Sequence, residues 1–268
     1  MRRRVTSVLT ATVTAPVEAT LGVAVAQRVA RSSETLAVTL DGAPFDPREV
    51  VDQASGTRWH VLRDVPVGRL QVTYEALVDD GGASTPVSEL DRIHYVRPSR
   101  YVDLDRLESV ARAEVGDVVD EDDVLRVGRW VHGHLRYVPG SSRVTDGASD
   151  TYLARRGVCR DYAHLTMALL RARGVPARLV GCYAPGLSPM DFHAVVEAAV
   201  GDRWVVVDAT RLAPRSSLVR ISSGADASET SFLTTHTGGL SFGSITVTAT
   251  VEGADLPVDD HEGTVAIG

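Results

Sequence analysis

The chain has 268 residues, 44% of them apolar and 24% charged, with a net charge of −7. This is enough chain for one large domain or two modest ones, and the composition is that of an ordinary globular protein. The acidic balance argues against nucleic acid or an anionic membrane as the main partner. There is no apolar run of roughly 18 residues, so no membrane-spanning helix is expected. Aromatic residues are few, which leaves Val, Leu and Ala to build the core.

The start, Met1-Arg2-Arg3-Arg4, has the charge of a signal-peptide n-region, but Val5 to Thr14 is too rich in Thr for the apolar stretch that should follow. It reads as a strand instead, and the cytoplasm is the expected compartment. Further strands are expected at Leu21–Val29, Glu34–Leu40, Thr57–Leu62 and Arg69–Val78, with turn signals at Asp41-Gly42 and Asp79-Asp80-Gly81-Gly82. Short strands at this spacing predict an antiparallel β-sandwich over residues 1–95, with a structural or substrate-positioning role.

The pattern changes near Tyr95. Leu104, Leu107, Val110 and Ala111 fall at helical spacing and predict a helix over 103–115. Asp120-Glu121-Asp122-Asp123 lacks the loop spacing and glycine of a helix-loop-helix calcium site. It reads as the capped start of a helix that carries Val124, Val127, Val131 and Leu135. His132 and His134 are two apart on that helix and do not share a face, so no metal pair is expected. A loop is expected over 216–231 and a final strand over 241–251, followed by an acidic, loose tail at 253–268.

The chemistry concentrates at Gly157-Val158-Cys159. Cys159 opens a helix that is apolar on most faces and is stopped by Gly174 and Pro176. A thiol attacks as thiolate, and both a helix N-terminus and a nearby imidazolium favour that form. The same unpaired N–H groups suit an oxyanion. The other cysteine, Cys182, reads as a small buried hydrophobe, and two cysteines make no disulfide framework.

Gly201-Asp202 is a good two-residue hairpin turn between Phe192–Val200 and Arg203–Ala209. With Val200 opposite Arg203, His193 falls opposite Thr210 and Val195 opposite Asp208. His193 and Asp208 are then diagonal neighbours on one face, where a carboxylate can fix an imidazole. A slip of one residue would separate them. His164 lies closer in sequence but about 140° around the helix from Cys159, so it is expected to bond locally. Cys159, His193 and Asp208 are the candidate catalytic residues, with no cofactor and no metal.

Four blocks carry a resemblance. They are Gly157-Val158-Cys159-Arg160-Asp161-Tyr162-Ala163-His164-Leu165, then Leu169 to Arg178, then Asp191-Phe192-His193-Ala194, then Trp204-Val205-Val206-Val207-Asp208-Ala209-Thr210. In order and spacing, over roughly residues 95–220, the chain resembles the bacterial transglutaminase-like superfamily, which is related to papain-type thiol enzymes. The resemblance implies an α+β fold, with a papain/transglutaminase-like core at 96–252, closed by the C-terminal strand, behind the β-sandwich. It implies Cys159 as nucleophile, His193 as general base and acid, and Asp208 as orienting carboxylate, in a peptidase, amidase or acyltransferase working through a thioester. The implied partner is a peptide or protein amide. The family often has an aromatic residue two after the histidine, where this chain has Val195. Trp130 and Tyr137 are the candidates for its oxyanion-hole aromatic. A non-catalytic binding module on the same fold is the alternative, and a redox protein using Cys159 and Cys182 a weaker one. Oligomeric state is not legible.

Overall fold

The computed structural model describes residues 1–80 and 85–267. The Gly81-Gly82 half of the expected turn and the last residue of the tail lie outside the described residues. The chain is α+β, built on two antiparallel sheets and one helical layer.

The N-terminal sheet has seven strands, β1 (Arg2–Leu21), β2 (Arg31–Leu40), β3 (Ala43–Pro44), β4 (Arg48–Val51), β5 (Arg58–Val65), β6 (Gly68–Val78) and, from the far end of the chain, β13 (Leu233–Glu252). β1 alternates with period two. Val5, Ser7, Leu9, Ala11 and Val13 are buried between more exposed neighbours. Along one edge β1 pairs with β13. Along the other it pairs first with β6, over Arg3–Val13, and then with β5, over Val17–Leu21. Register shifts between Val13 and Ala19 bend β1 from one partner to the other. The expected sandwich is therefore a single sheet folded over one core. The strand expected at Leu21–Val29 is absent. Leu21 ends β1, and the segment after it is irregular but buried. Its backbone is held by side chains: Tyr74 Oη accepts the Val25 N–H, and Tyr183 Oη donates to the Val23 carbonyl.

The helical layer holds α1 (Glu89–His94), α2 (Glu108–Val110), α3 (Glu121–His134), α4 (Ala148–Ala154) and α5 (Cys159–Ala172). The helix expected over 103–115 is a chain of short pieces: a 3₁₀ turn at Leu104–Arg106, α2, and a π turn at Ala111–Val115 that ends at Gly116 with φ 70°. Neither the 3₁₀ turn nor α2 has a side-chain cap. α3 starts as expected, with Asp120 accepting the Asp123 N–H, and buries Val124, Val127 and Val131.

α5 packs on the second sheet, which runs β11 (Arg203–Val207), β10 (Phe192–Val200), β9 (Ala177–Tyr183), β12 (Val219–Gly224). β12 lies in the stretch expected to be a surface loop, and every one of its residues is buried. Arg220 is accommodated there because Glu197 takes both its Nη1 and Nη2, while Arg178 bonds the same carboxylate. Tyr183, Val219 and Ile221 enter the core of the N-terminal sheet and join the two layers. A two-stranded parallel ladder of β7 (Arg136–Tyr137) and β8 (Arg156–Gly157) lies before α5.

Two expectations about the C-terminus are corrected. The last strand closes the N-terminal sheet and not the core, since β13 pairs with β1 from Leu233 to Glu252. The expected loose tail is docked. Arg215 grips Asp259 through Nε and Nη2 at 2.8 and 2.9 Å, the Val206 N–H reaches the Val265 carbonyl, and Ile267 is buried. Distant ion pairing and a free edge of β11 hold a segment whose composition alone reads as loose.

Candidate active site

Cys159 is the first residue of α5. Two side chains shape its approach. Asp161 accepts the Val158 N–H at 2.8 Å and the Ser142 hydroxyl at 2.8 Å, fixing the turn before the thiol. Gly157 gives Asp161 room, because a Cβ there would sit 2.6 Å from the Asp161 Cβ. Cys159 is partly exposed and its thiol is free.

The hairpin takes the expected register, with Val200 opposite Arg203 and Val196 opposite Val207. His193 Nε2 donates to Asp208 Oδ2 at 2.9 Å, and both side chains are buried. The second Asp208 oxygen accepts the Thr210 N–H at 2.9 Å and the Thr210 hydroxyl at 2.6 Å. Thr210 holds Asp208 and was missed in the sequence, although Asp-x-Thr after a strand is a recognisable turn signal. Cys159 lies beside His193, whose other ring nitrogen, Nδ1, is buried and has no hydrogen-bond partner among the described residues. Burial disfavours the His193 imidazolium, but the Asp208 charge and hydrogen bond, together with Cys159, outweigh it and push the ring up to about 10. Burial likewise opposes the Asp208 carboxylate, and the charge and hydrogen bond of His193 overcome it, so its carboxyl is held below the usual range. These are two views of one interaction. The structure thus brings Cys159, His193 and Asp208 together.

Of the two aromatic candidates, Tyr137 is at the site and Trp130 is not. Tyr137 is paired with Gly157 across the β7–β8 ladder and lies beside Cys159. Burial and the neighbouring thiol push its phenol up to about 12. Trp130 stacks on His134, which stacks in turn on Tyr152. Val195 is buried in a separate cluster behind the sheet. His164 is fully buried, stacks on Tyr101 at 5.2 Å and accepts the Ala227 N–H at 3.2 Å. Desolvation pulls it down to about 3, so it is neutral at ordinary pH. Cys182 is buried and donates weakly to the His193 carbonyl at 3.6 Å, and burial raises its thiol.

Cys159 and His193 line a cleft of about 400 Å³. Its walls come from β9, β10 and β12, from the segment after β12, and from Gly22 at the end of β1. Among the described residues there is no cluster of three or more His, Cys, Asp or Glu side chains able to hold a metal ion, and no helix long and apolar enough to cross a membrane.

The family model for the transglutaminase-like superfamily matches residues 109–209, which contain all three site residues. A crystal structure of a candidate cysteine protease from Cytophaga hutchinsonii superposes with a TM-score of 0.85 at 30% identity, over 97% of this chain and 94% of that one. The uncharacterized protein ML0607 of Mycobacterium leprae is 30% identical over 44% of this chain and 47% of its own length. The uncharacterized protein Rv2569c of Mycobacterium tuberculosis is 35% identical over 33% of this chain and 26% of its own length. The matches therefore span less than half of these curated relatives. With the family model lying on the thiol helix and the hairpin, and a solved relative following nearly the whole fold, the chain belongs to the transglutaminase-like superfamily.

Proposed function

We propose that this chain is a cytoplasmic thiol enzyme that attacks a peptide or amide carbonyl through a Cys159 thioester, as a peptidase, amidase or acyltransferase. The observation that carries the reading is a thiol at the first turn of α5 beside a buried imidazole, itself held by a buried carboxylate.

The chemistry follows from that geometry. The proton resides on His193, and the Cys159 sulfur adds to the carbonyl carbon. The oxygen that gains charge is met by the Tyr137 hydroxyl and N–H groups at the start of α5. The tetrahedral intermediate collapses, His193 gives its proton to the departing nitrogen, and ammonia or an amine leaves a thioester behind. Water or a second amine then loses a proton to His193 as it attacks the thioester, which restores the thiol. Asp208 keeps the ring oriented and stabilises its charged form, and Thr210 keeps Asp208 in place.

The test is alkylation with iodoacetamide at neutral pH, read by mass spectrometry. Cys159 should label well ahead of buried Cys182. Equal rates would defeat the activated-thiol reading. A screen of glutamine-peptide and amide libraries with native and Cys159→Ala protein then separates catalysis from binding alone: equal turnover signals from the two would favour a non-catalytic module.

A further inference from the structure

The cleft beside Cys159 has an unusual floor. Ala194 on β10 is paired with Gly181 on β9, and Gly181 with Ser222 on β12. Three small residues thus lie side by side across three neighbouring strands, and all three line the cleft. Two residues along the same strands, and so on the same side of the sheet, stand the bulky Phe192 and Leu179, which also line it. The row of small residues is a trough between them. A Cβ at Gly181 would sit 2.8 Å from the Ser222 hydroxyl, so even one added carbon would crowd its floor. Phe232 closes one end, its ring 5.4 Å from that of Phe192.

The serine and threonine hydroxyls of this trough are already engaged. Ser222 donates to the Thr230 carbonyl, Ser231 to the Ala227 carbonyl and Thr230 to the Asp226 carbonyl. Of the charged groups in the lining, Arg160 is tied through Nη2 to the Ser142 hydroxyl and the Arg143 carbonyl, and Asp191 accepts the Phe192 N–H. A polar or charged side chain entering the trough would shed water and find few new partners, whereas an apolar one would gain from leaving water. Cys159 and His193 line the same cleft, so an occupant of the trough lies beside the candidate nucleophile and is part of the reacting molecule.

We infer that the trough is a specificity pocket for a bulky apolar side chain, aromatic or branched aliphatic, within two residues of the attacked carbonyl on the acyl side of a peptide. This deepens the thiol-enzyme reading and rests on it. Glutamine alone, the smallest acyl donor for transamidation, would leave the trough empty. Ala194, Gly181 and Phe232 are the residues that set the preference.

Peptidyl acyloxymethyl ketones test this, because they alkylate an attacking thiol only after the peptide has docked. Probes carrying Phe, Leu, Asp or Lys at the two positions before the ketone are incubated with the full chain, and labelling of Cys159 is followed by mass spectrometry. Iodoacetamide is run beside them as a probe with no side chain. Phe and Leu probes should label at least tenfold faster than Asp and Lys probes. In Ala194→Leu, the rate of the Phe probe relative to iodoacetamide in the same preparation should fall tenfold or more. If Cys159 reacts ahead of Cys182 with iodoacetamide but shows no preference among peptides, the pocket assignment is overturned and the thiol reading survives. If iodoacetamide itself does not favour Cys159, both are overturned. A Phe preference that persists undiminished in Ala194→Leu would also overturn the assignment, since the side chain would then dock elsewhere.

Discussion

Replacing Asp208 by Asn removes one charge from the site and nearly no volume. In the native protein His193 is raised from an ordinary value of 6.5 to about 10. Because the folded value lies above the unfolded one, the pair's contribution to stability is fully present below about pH 6.5 and is lost as pH rises toward about 10. Each unit corresponds to about 1.4 kcal/mol, so the contribution amounts to a few kcal/mol, counted once for the two partners. In Asp208→Asn the main force that raises the imidazole is gone and burial opposes its charge. Urea denaturation at several values between pH 6 and 10 should therefore show the native protein losing stability across the range and the variant losing much less. At pH 6 the variant should be less stable by about 3–5 kcal/mol, the usual result of stranding one member of a buried pair. Turnover on an amide substrate should fall by about 10⁴, because the ring no longer holds the useful tautomer. A variant with the same stability slope between pH 6.5 and 10 as the native protein would refute the argument that Asp208 keeps His193 charged.

Other outcomes follow from neighbouring contacts. Tyr137→Phe should lower kcat by about 10²–10³ with a much smaller change in KM, since in the proposed reaction the hydroxyl meets the charge that develops on the carbonyl oxygen; a purely KM effect would show that Tyr137 only binds. Asp259→Ala leaves the buried Arg215 guanidinium unpaired and should cost about 3–5 kcal/mol in urea denaturation while exposing the tail to protease. A loss under about 1 kcal/mol would contradict a docked tail. The His164 ring should show no titration by NMR between about pH 5 and 8, because burial keeps it neutral.

The parts of the fold that were readable in the sequence were those fixed by short-range rules. The turn at Gly201-Asp202 sets the β10–β11 register within ten residues or so, and the register then places His193 against Asp208. The start of α5 was readable because Gly157, Cys159 and the apolar run stand together. What escaped was decided by partners far away in the chain. β12 reads as a loop because Ala213-Pro214-Arg215 breaks the pattern before it, and the buried charge of its Arg220 is met by Glu197, 23 residues away. The tail reads as loose because Arg215, 44 residues before Asp259, is what holds it. Tyr137 could not be chosen over Trp130 from helical spacing. Two residues of parallel ladder, Arg136-Tyr137 against Arg156-Gly157, decide it. The last strand was correctly expected as a strand, but its partner β1 lies at the other end of the chain.

That pairing of β1 with β13 has a consequence for how the chain is made. The N-terminal strand leaves the ribosome more than 200 residues before the strand that covers its second edge, since Arg2 waits for Glu252 and Leu21 for Leu233. During synthesis one edge of β1 is open along its whole length while the thiol helix and its sheet emerge. Non-local pairing of this kind is slow, and an open edge invites pairing with other chains. The half-finished N-terminal sheet, and not the reactive centre, is therefore the point at which a nascent chain is most exposed to aggregation. A chain halted before residue 233 would carry every residue of the thiol site and still leave that edge uncovered.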